Sequence, residues 1–366
     1  MSCDFIQLAN PGVQELHPYQ PGKPISELER ELGITNIVKL ASNENPIGIS
    51  PKAQAAMEKE FSELARYPDA NGYYLKAKIA ERVGVDINQI TLGNGSNDVL
   101  ELIARVFVAP EHEVIFSQHA FVVYPIVTQA IGAKKVVIPA KDWGHDLEAT
   151  AEAITPNTRM IFIANPNNPT GTWVKSDELK AFMNKVPEDV LVILDEAYYE
   201  YVEDKDYPQT IPWIKDYPNL IVTRTFSKAY GLAGVRAGYA VANEEITGLI
   251  NRPRQPFNMN SLALAAAEAV LDDREYLQRA LEVNQAGMEQ LEAVFKELSY
   301  DYIPSVTNFI TVDMGKPAGP IYQHMLEQGV IVRPVANYEM PNHLRVSIGL
   351  EEENAKFIRV LREMTK

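Results

Sequence analysis

A chain of 366 residues is longer than one ordinary hydrophobic core supports, so two domains are expected. The composition is globular, at 46% hydrophobic and 23% charged, and the net charge of −15 excludes general affinity for nucleic acid or anionic lipid while allowing a local basic pocket for a small anion. A single cysteine, Cys3, excludes an intramolecular disulfide and a cysteine-rich metal site, and no apolar run approaches the roughly 18 residues of a membrane span.

The first 45 residues are rich in proline, glycine and polar side chains and read as an irregular arm with one short helix near Ile25–Leu32. The opening "MSCDFIQLANPGVQELHPYQPGKP" has neither a basic region nor an apolar leader, so no signal peptide is expected and the cytoplasm is the expected compartment. From Pro51 onward helix and strand patterns alternate. Tyr73–Val83 reads as a helix. "QITLGNGSNDVLELIARVF" reads as a strand, a glycine turn and a helix with apolar residues at Val99, Leu102, Ile103 and Val106. Strands follow at "EVIFS", "KKVVIPA", "RMIFIANP", "VLVILDEAY", "NLIVTRT" and "AGYAVA", several apolar on both faces, as in a parallel sheet covered by helices. A long helical pattern over 260–298 breaks near Asp272–Asp273. After it come "NFITVDM", a helix, "VIVRPV", "HLRVSIG" and a closing helix, an α+β layout. The expected division is an arm, 1–45, packing with the small domain, a large α/β domain, 46–260, and a small domain, 261–366.

Ligands of open α/β sheets sit beyond the carboxyl ends of the strands, so the polar residues there carry the information. "GNGSND" supplies a glycine turn into a helix N-terminus, which can hold a phosphate or can simply be a capped turn. It matches only half of a dinucleotide fingerprint, because Asp98 stands where the third glycine belongs. "NPNNPTG" is a turn cluster that follows a buried strand directly. Asp195 ends a run of apolar residues, where a carboxylate needs a cation or a donor, or serves as a helix cap. Lys228 follows another buried strand, flanked by Phe226 and Tyr230, with Arg236 eight residues on. Most lysines are solvated; one partly buried beside a second cation becomes a nucleophile. Together these signals describe one ligand: a phosphate, an aldehyde that condenses with lysine, and a ring nitrogen that needs a carboxylate. Pyridoxal 5′-phosphate has all three.

With these residues in place, the sequence resembles the fold-type I aminotransferases and, within them, the histidinol-phosphate aminotransferase family. The likeness runs from "HPYQPGKP" and "IVKLASNENPIG" through "RYPD", "NPNNPTG", "LDEAY" and "TFSKAYGLAGVRAGY" to "VIVRP" and "LRVSIG". The resemblance implies that Lys228 holds the cofactor covalently and moves the substrate proton, and that Asp195 pairs with the ring nitrogen. Asn168 and Tyr198 would bond the ring oxygen. Gly95, Ser96 and Asn97, with Thr225, Ser227 and Arg236, would bind the phosphate. Phe121 would cover the ring face; related enzymes often have tyrosine there, and phenylalanine stacks without a hydrogen bond. Tyr67 would reach the cofactor phosphate of a neighbouring subunit, which implies a homodimer with shared sites.

Arg345 resembles the arginine that takes the substrate anion, a carboxylate from glutamate or a phosphate from histidinol phosphate, because its planar fork fits both. Arg333 and Tyr19 are its expected helpers for the phosphate, and Asn43 is expected at the substrate pocket. The implied activity is ping-pong amino transfer between L-histidinol phosphate and 2-oxoglutarate in histidine biosynthesis, with no metal. The arm, as a Pro/Gly-rich segment, is suited to closing over the substrate. Rival readings are an aromatic amino acid aminotransferase, a threonine-phosphate-type decarboxylase on the same scaffold, and a non-catalytic cofactor sensor. A nicotinamide oxidoreductase is disfavoured by the incomplete glycine fingerprint.

Overall fold

The computed structural model describes residues 3–19 and 21–364. In chain order its strands are β1 (Val38–Lys39), β2 (Ile90–Gly93), β3 (Glu113–Ser117), β4 (Lys134–Ile138), β5 (Thr158–Ala164), β6 (Leu191–Asp195), β7 (Leu220–Thr225), β8 (Gly238–Val241), β9 (Tyr302–Ile303), β10 (Phe309–Asp313), β11 (Val330–Ile331), β12 (Arg333–Pro334) and β13 (His343–Ser347). Seven of them form the large sheet in the order β2-β8-β7-β6-β5-β3-β4. Its pairs are parallel except that β8 runs against both of its neighbours.

The apolar runs explain the layering. Every residue of β6 and β7 is buried, because helices cover both faces, whereas β4, at the edge, carries exposed lysines. Alternate residues serve two cores: Val192, Leu194 and Val222 on one face, Ile193 and Ile221 on the other. The fold class is the expected one, a mixed, mostly parallel sheet under helices with a smaller α+β unit. In that unit, β12-β13-β10-β9 form an antiparallel sheet, and β1 pairs in parallel with β11.

Several elements fall where the sequence places them. The helices Ile25–Leu32 and Tyr73–Val83 have the expected bounds, and the long helical pattern divides into Ser261–Val270 and Arg274–Glu297. Packing continues across the expected boundary at 260/261. Ala263, Ala266 and Ala267 are fully buried in the core of the large sheet, and their small side chains let this helix close on Pro51–Glu60. The helix Arg274–Glu297 then crosses between the cores, with Tyr276 in the large one and Leu291, Val294 and Phe295 in the small one.

The arm also divides. Leu28 packs against Ala41 of the arm itself and against Leu326 and Ile331. The short helix Pro11–Gln14 instead lies on the large-domain helix Val123–Ile131, so close that a Cβ on Gly12 would stand 2.0 Å from the Gln129 carbonyl oxygen. "VIVRPV" is not one strand: it breaks at Val332 and serves two sheets. Among the described residues, no helix is long and apolar enough to cross a membrane.

Candidate active site

A cavity of about 260 Å³ opens at the carboxyl ends of β5, β6 and β7, roofed by the arm and the small domain. Every residue singled out from the sequence lines it except Gly95 and Tyr67.

Asp195 closes β6 and is 4% exposed. Burial pushes its carboxyl upward, and two donors oppose that shift: Tyr124 Oη at 2.7 Å to Oδ2 and Thr223 Oγ1 at 3.2 Å to Oδ1. These bonds keep a buried carboxylate available as a partner for a cation. The next residue, Glu196, is locked by Arg224 in a buried ion pair at 2.8 Å, which ties β6 to β7 beneath the cavity.

Lys228 follows β7, and its Nζ donates to the Ser42 carbonyl at 3.3 Å. Burial, then the positive charges of Arg345 and Arg236, draw its pKa from 10.5 to about 7, against the opposing pull of Glu44 and Asp195. A large share of this amine is therefore neutral near neutral pH, as a nucleophile requires.

The glycine turn makes the anion cradle. Gly95 has φ of 88° and stands at the N-terminus of helix Ser96–Phe107, where a Cβ would lie 2.5 Å from Arg236 Nη2. Glycine is needed for both reasons: the backbone turn and the close approach of the guanidinium. Arg236 Nη1 also reaches Ser227 Oγ at 3.3 Å. Free helix N–H groups, a guanidinium and the hydroxyls of Ser227 and Thr225 thus converge on one wall. Asp98, in place of the third fingerprint glycine, accepts from the Asn94 N–H at 2.8 Å and so closes the turn.

In "NPNNPTG" the structural and functional readings separate residue by residue. Asn165 bonds both the N–H and the carbonyl of Val174, and Asn167 bonds Thr170, so these two hold the loop. Asn168 faces the cavity. Its Oδ1 accepts from Arg345 Nη1 at 2.6 Å, which leaves its Nδ2 as a donor. Arg345 is 7% exposed; Nη2 bonds the Ala41 carbonyl at 2.9 Å, and Nε is buried with no partner among the described residues. Nearer the mouth, the Arg333 guanidinium lies 5.6 Å from the ring of Tyr19, which is 54% exposed.

The residues fit a phosphorylated pyridine aldehyde. The tight Gly95–Arg236 cradle suits its phosphate, Asp195 its ring nitrogen, Lys228 its aldehyde, and Phe121 one ring face. Tyr67 is not brought to the cavity: it is 82% exposed and stacks on Phe257 at 4.5 Å. The sequence reading missed Tyr124 and Tyr338. Tyr124 is fully buried, stacked on Phe162 at 4.5 Å and edge-on to Phe121 at 5.8 Å. A tyrosine inside an otherwise apolar helix needs a partner for its hydroxyl, and that was its signal. Tyr338 lines the cavity from the short 3-10 helix Ala336–Tyr338 that follows β12.

The aminotransferase class I and II family matches residues 35–361. Histidinol-phosphate aminotransferase 1 of Idiomarina loihiensis is 60% identical over 359 residues, covering 98% of each chain. Histidinol-phosphate aminotransferase 2 of Pseudomonas fluorescens is 60% identical over 363 residues, covering 99% of this chain and 98% of that one. The crystal structure of histidinol-phosphate aminotransferase from Sinorhizobium meliloti in complex with pyridoxal-5′-phosphate superposes with a TM-score of 0.89 at 29% identity, over 97% of both chains.

Proposed function

Because the chain belongs to the class I and II aminotransferases, in the company of full-length histidinol-phosphate aminotransferase relatives, we propose that it transfers the amino group between L-histidinol phosphate and 2-oxoglutarate with pyridoxal 5′-phosphate, in histidine biosynthesis. The observation that carries this reading is the cavity: Lys228 stands between an anion cradle, a buried carboxylate and a second cation, Arg345, on the far wall.

When bound, the cofactor supplies an aldehyde for the amino group and a ring that withdraws electrons from the substrate Cα. The chain does the rest. Arg236, Ser227 and the N-terminus of helix Ser96–Phe107 hold the phosphate. Asp195, whose carboxyl accepts from Tyr124 and Thr223, would pair with the ring nitrogen. Asn168 and Tyr198 offer donors to the ring oxygen, and Phe121 covers a face. Lys228 takes and returns the proton at Cα, a task matched to a pKa near neutrality.

Arg345 grips the carboxylate of glutamate or the phosphate of histidinol phosphate in turn, with Arg333 and Tyr19 at the outer end of the substrate. The enzyme acts as a cytoplasmic homodimer. The exposure of Tyr67, with Tyr74 at 70% and Phe61 at 58%, supports a partner on that face.

Two experiments test the reading. Borohydride reduction of the cofactor-loaded protein should leave a pyridoxyl group on Lys228 in peptide maps; its absence there overturns the cofactor assignment. A single-turnover panel of imidazole-acetol phosphate, phenylpyruvate and 4-hydroxyphenylpyruvate should favour the first. A preference of about tenfold for phenylpyruvate, roughly 1.4 kcal/mol in the barrier, selects an aromatic aminotransferase instead.

A further inference from the structure

Asn43 is expected from the sequence to touch substrate, yet its polar atoms are taken up by the protein. It lies in the arm, 1% exposed, with φ of 54°. Its carbonyl accepts from Asn308 Nδ2 at 2.9 Å, and its N–H donates to Ser347 Oγ at 2.8 Å. The hydroxyl of Ser347 has one proton, and it goes to Asn43 Oδ1 at 3.0 Å. The amide thus sits with its oxygen toward the Ser347 hydroxyl. The other end, Nδ2, then points at Tyr198 Oη, 2.8 Å away.

An amide nitrogen only donates. The Tyr198 oxygen therefore accepts from Asn43, and the phenol's own proton must leave in another direction. Around Tyr198 Oη stand the cavity and, among charged or titratable groups, Arg345, Asp195 and Tyr338; the phenol ring itself is held edge-on by Phe309 at 5.3 Å.

Resting on the cofactor reading above, we propose that Asn43 is a positioning residue: oriented by Ser347, it accepts no proton from Tyr198 and so aims the tyrosine hydroxyl at the cofactor ring oxygen. Ser347 ends β13 and Asn308 precedes β10 in the small sheet, while Tyr198 follows β6 of the large one, so these bonds through Asn43 link the seating of the small sheet to a donor on the cofactor. A donor to the ring oxygen stabilises its anionic form and makes the lysine–cofactor linkage easier to deprotonate. The charged groups that face this linkage, Arg345, Glu44, Arg236 and Asp195, are unchanged by the test below.

The test is a pH titration of the absorbance of the lysine-bound cofactor in the loaded enzyme. Asn43→Leu should raise the midpoint by about 0.5 to 1 unit, and Ser347→Ala, which frees the amide to turn over, should raise it less. In a Tyr198→Phe background neither change should move the midpoint further, because the effect passes through the phenol. An unchanged midpoint in both single variants overturns the proposal, as does an equal shift with and without the Tyr198 hydroxyl. Should Asn43→Leu fail to fold, Ser347→Ala and its double variant decide alone. A wild-type enzyme with no lysine-bound chromophore would instead bring down the cofactor reading, and the proposal with it.

Discussion

Asp195, Lys228 and Arg236 reach the cavity from neighbouring strands of one buried sheet, while Asn43, Arg333 and Arg345 reach it from opposite ends of the chain. The first group forms a floor fixed by the ladder of β6, β7 and β8. The second forms a roof, and it has two rows. In the inner row, Asn43 and Arg345 are buried and bonded to the floor through Tyr198 and Asn168. In the outer row, Tyr19 and Arg333 lie against each other nearer solvent. On the proposed function this is a division of labour: the floor would place the groups that handle the cofactor, and the roof those that read the substrate, with its inner row bonded to Tyr198 and Asn168.

The sharpest break of this comparison is Lys228→Ala. Turnover should fall by at least about 10³-fold, because the floor then lacks its proton carrier, while substrate affinity in the roof is retained; single-turnover kinetics separate the two. Next, Arg345→Ala should reduce kcat/KM about 10²-fold for both glutamate and histidinol phosphate, the loss of a charge-assisted pair. Arg333→Ala should cost about tenfold or less, and for the phosphorylated substrate alone. Equal losses on both substrates for Arg333 would erase the distinction between inner and outer rows.

Within the floor, Tyr124→Phe should lower kcat between about tenfold and a few tens of fold by removing one donor from a buried carboxylate, with the melting temperature little changed. The last prediction is a pH dependence. Lys228 in the cofactor-free enzyme has its pKa lowered from 10.5 to about 7, so the neutral amine grows in as pH rises through that value. The rate of cofactor capture, followed by absorbance, should increase about tenfold from about pH 6 to about pH 8. A rate still climbing steeply above pH 9 would mean an unshifted lysine and a wetter floor.

Much of the floor was legible because its signals are local. An apolar run ending in Asp195, another ending before Lys228, and a glycine turn before a helix each declare a strand end and what stands on it. The roof was legible in composition and less so in role. Arg345 and Asn43 were found near the cavity, but nothing near Asn43 in sequence says that Ser347 would orient its amide. Tyr124 was hidden among apolar neighbours, where an aromatic side chain reads as core. The packing of the helix Ser261–Val270 against the core of the large sheet was not legible, because its alanines match any close neighbour equally well.

The sequence by itself determined the elements, the sheet class and the chemistry of the cavity, since periodicity and strand-end residues depend on a few adjacent positions. Only the tertiary structure decided which donor faces which acceptor: the split of "VIVRPV" between two sheets, the bond from Tyr124 to Asp195 and the orientation of Asn43. Those are pairings between distant segments, and they are set by which buried polar groups one packed arrangement brings within reach of a partner.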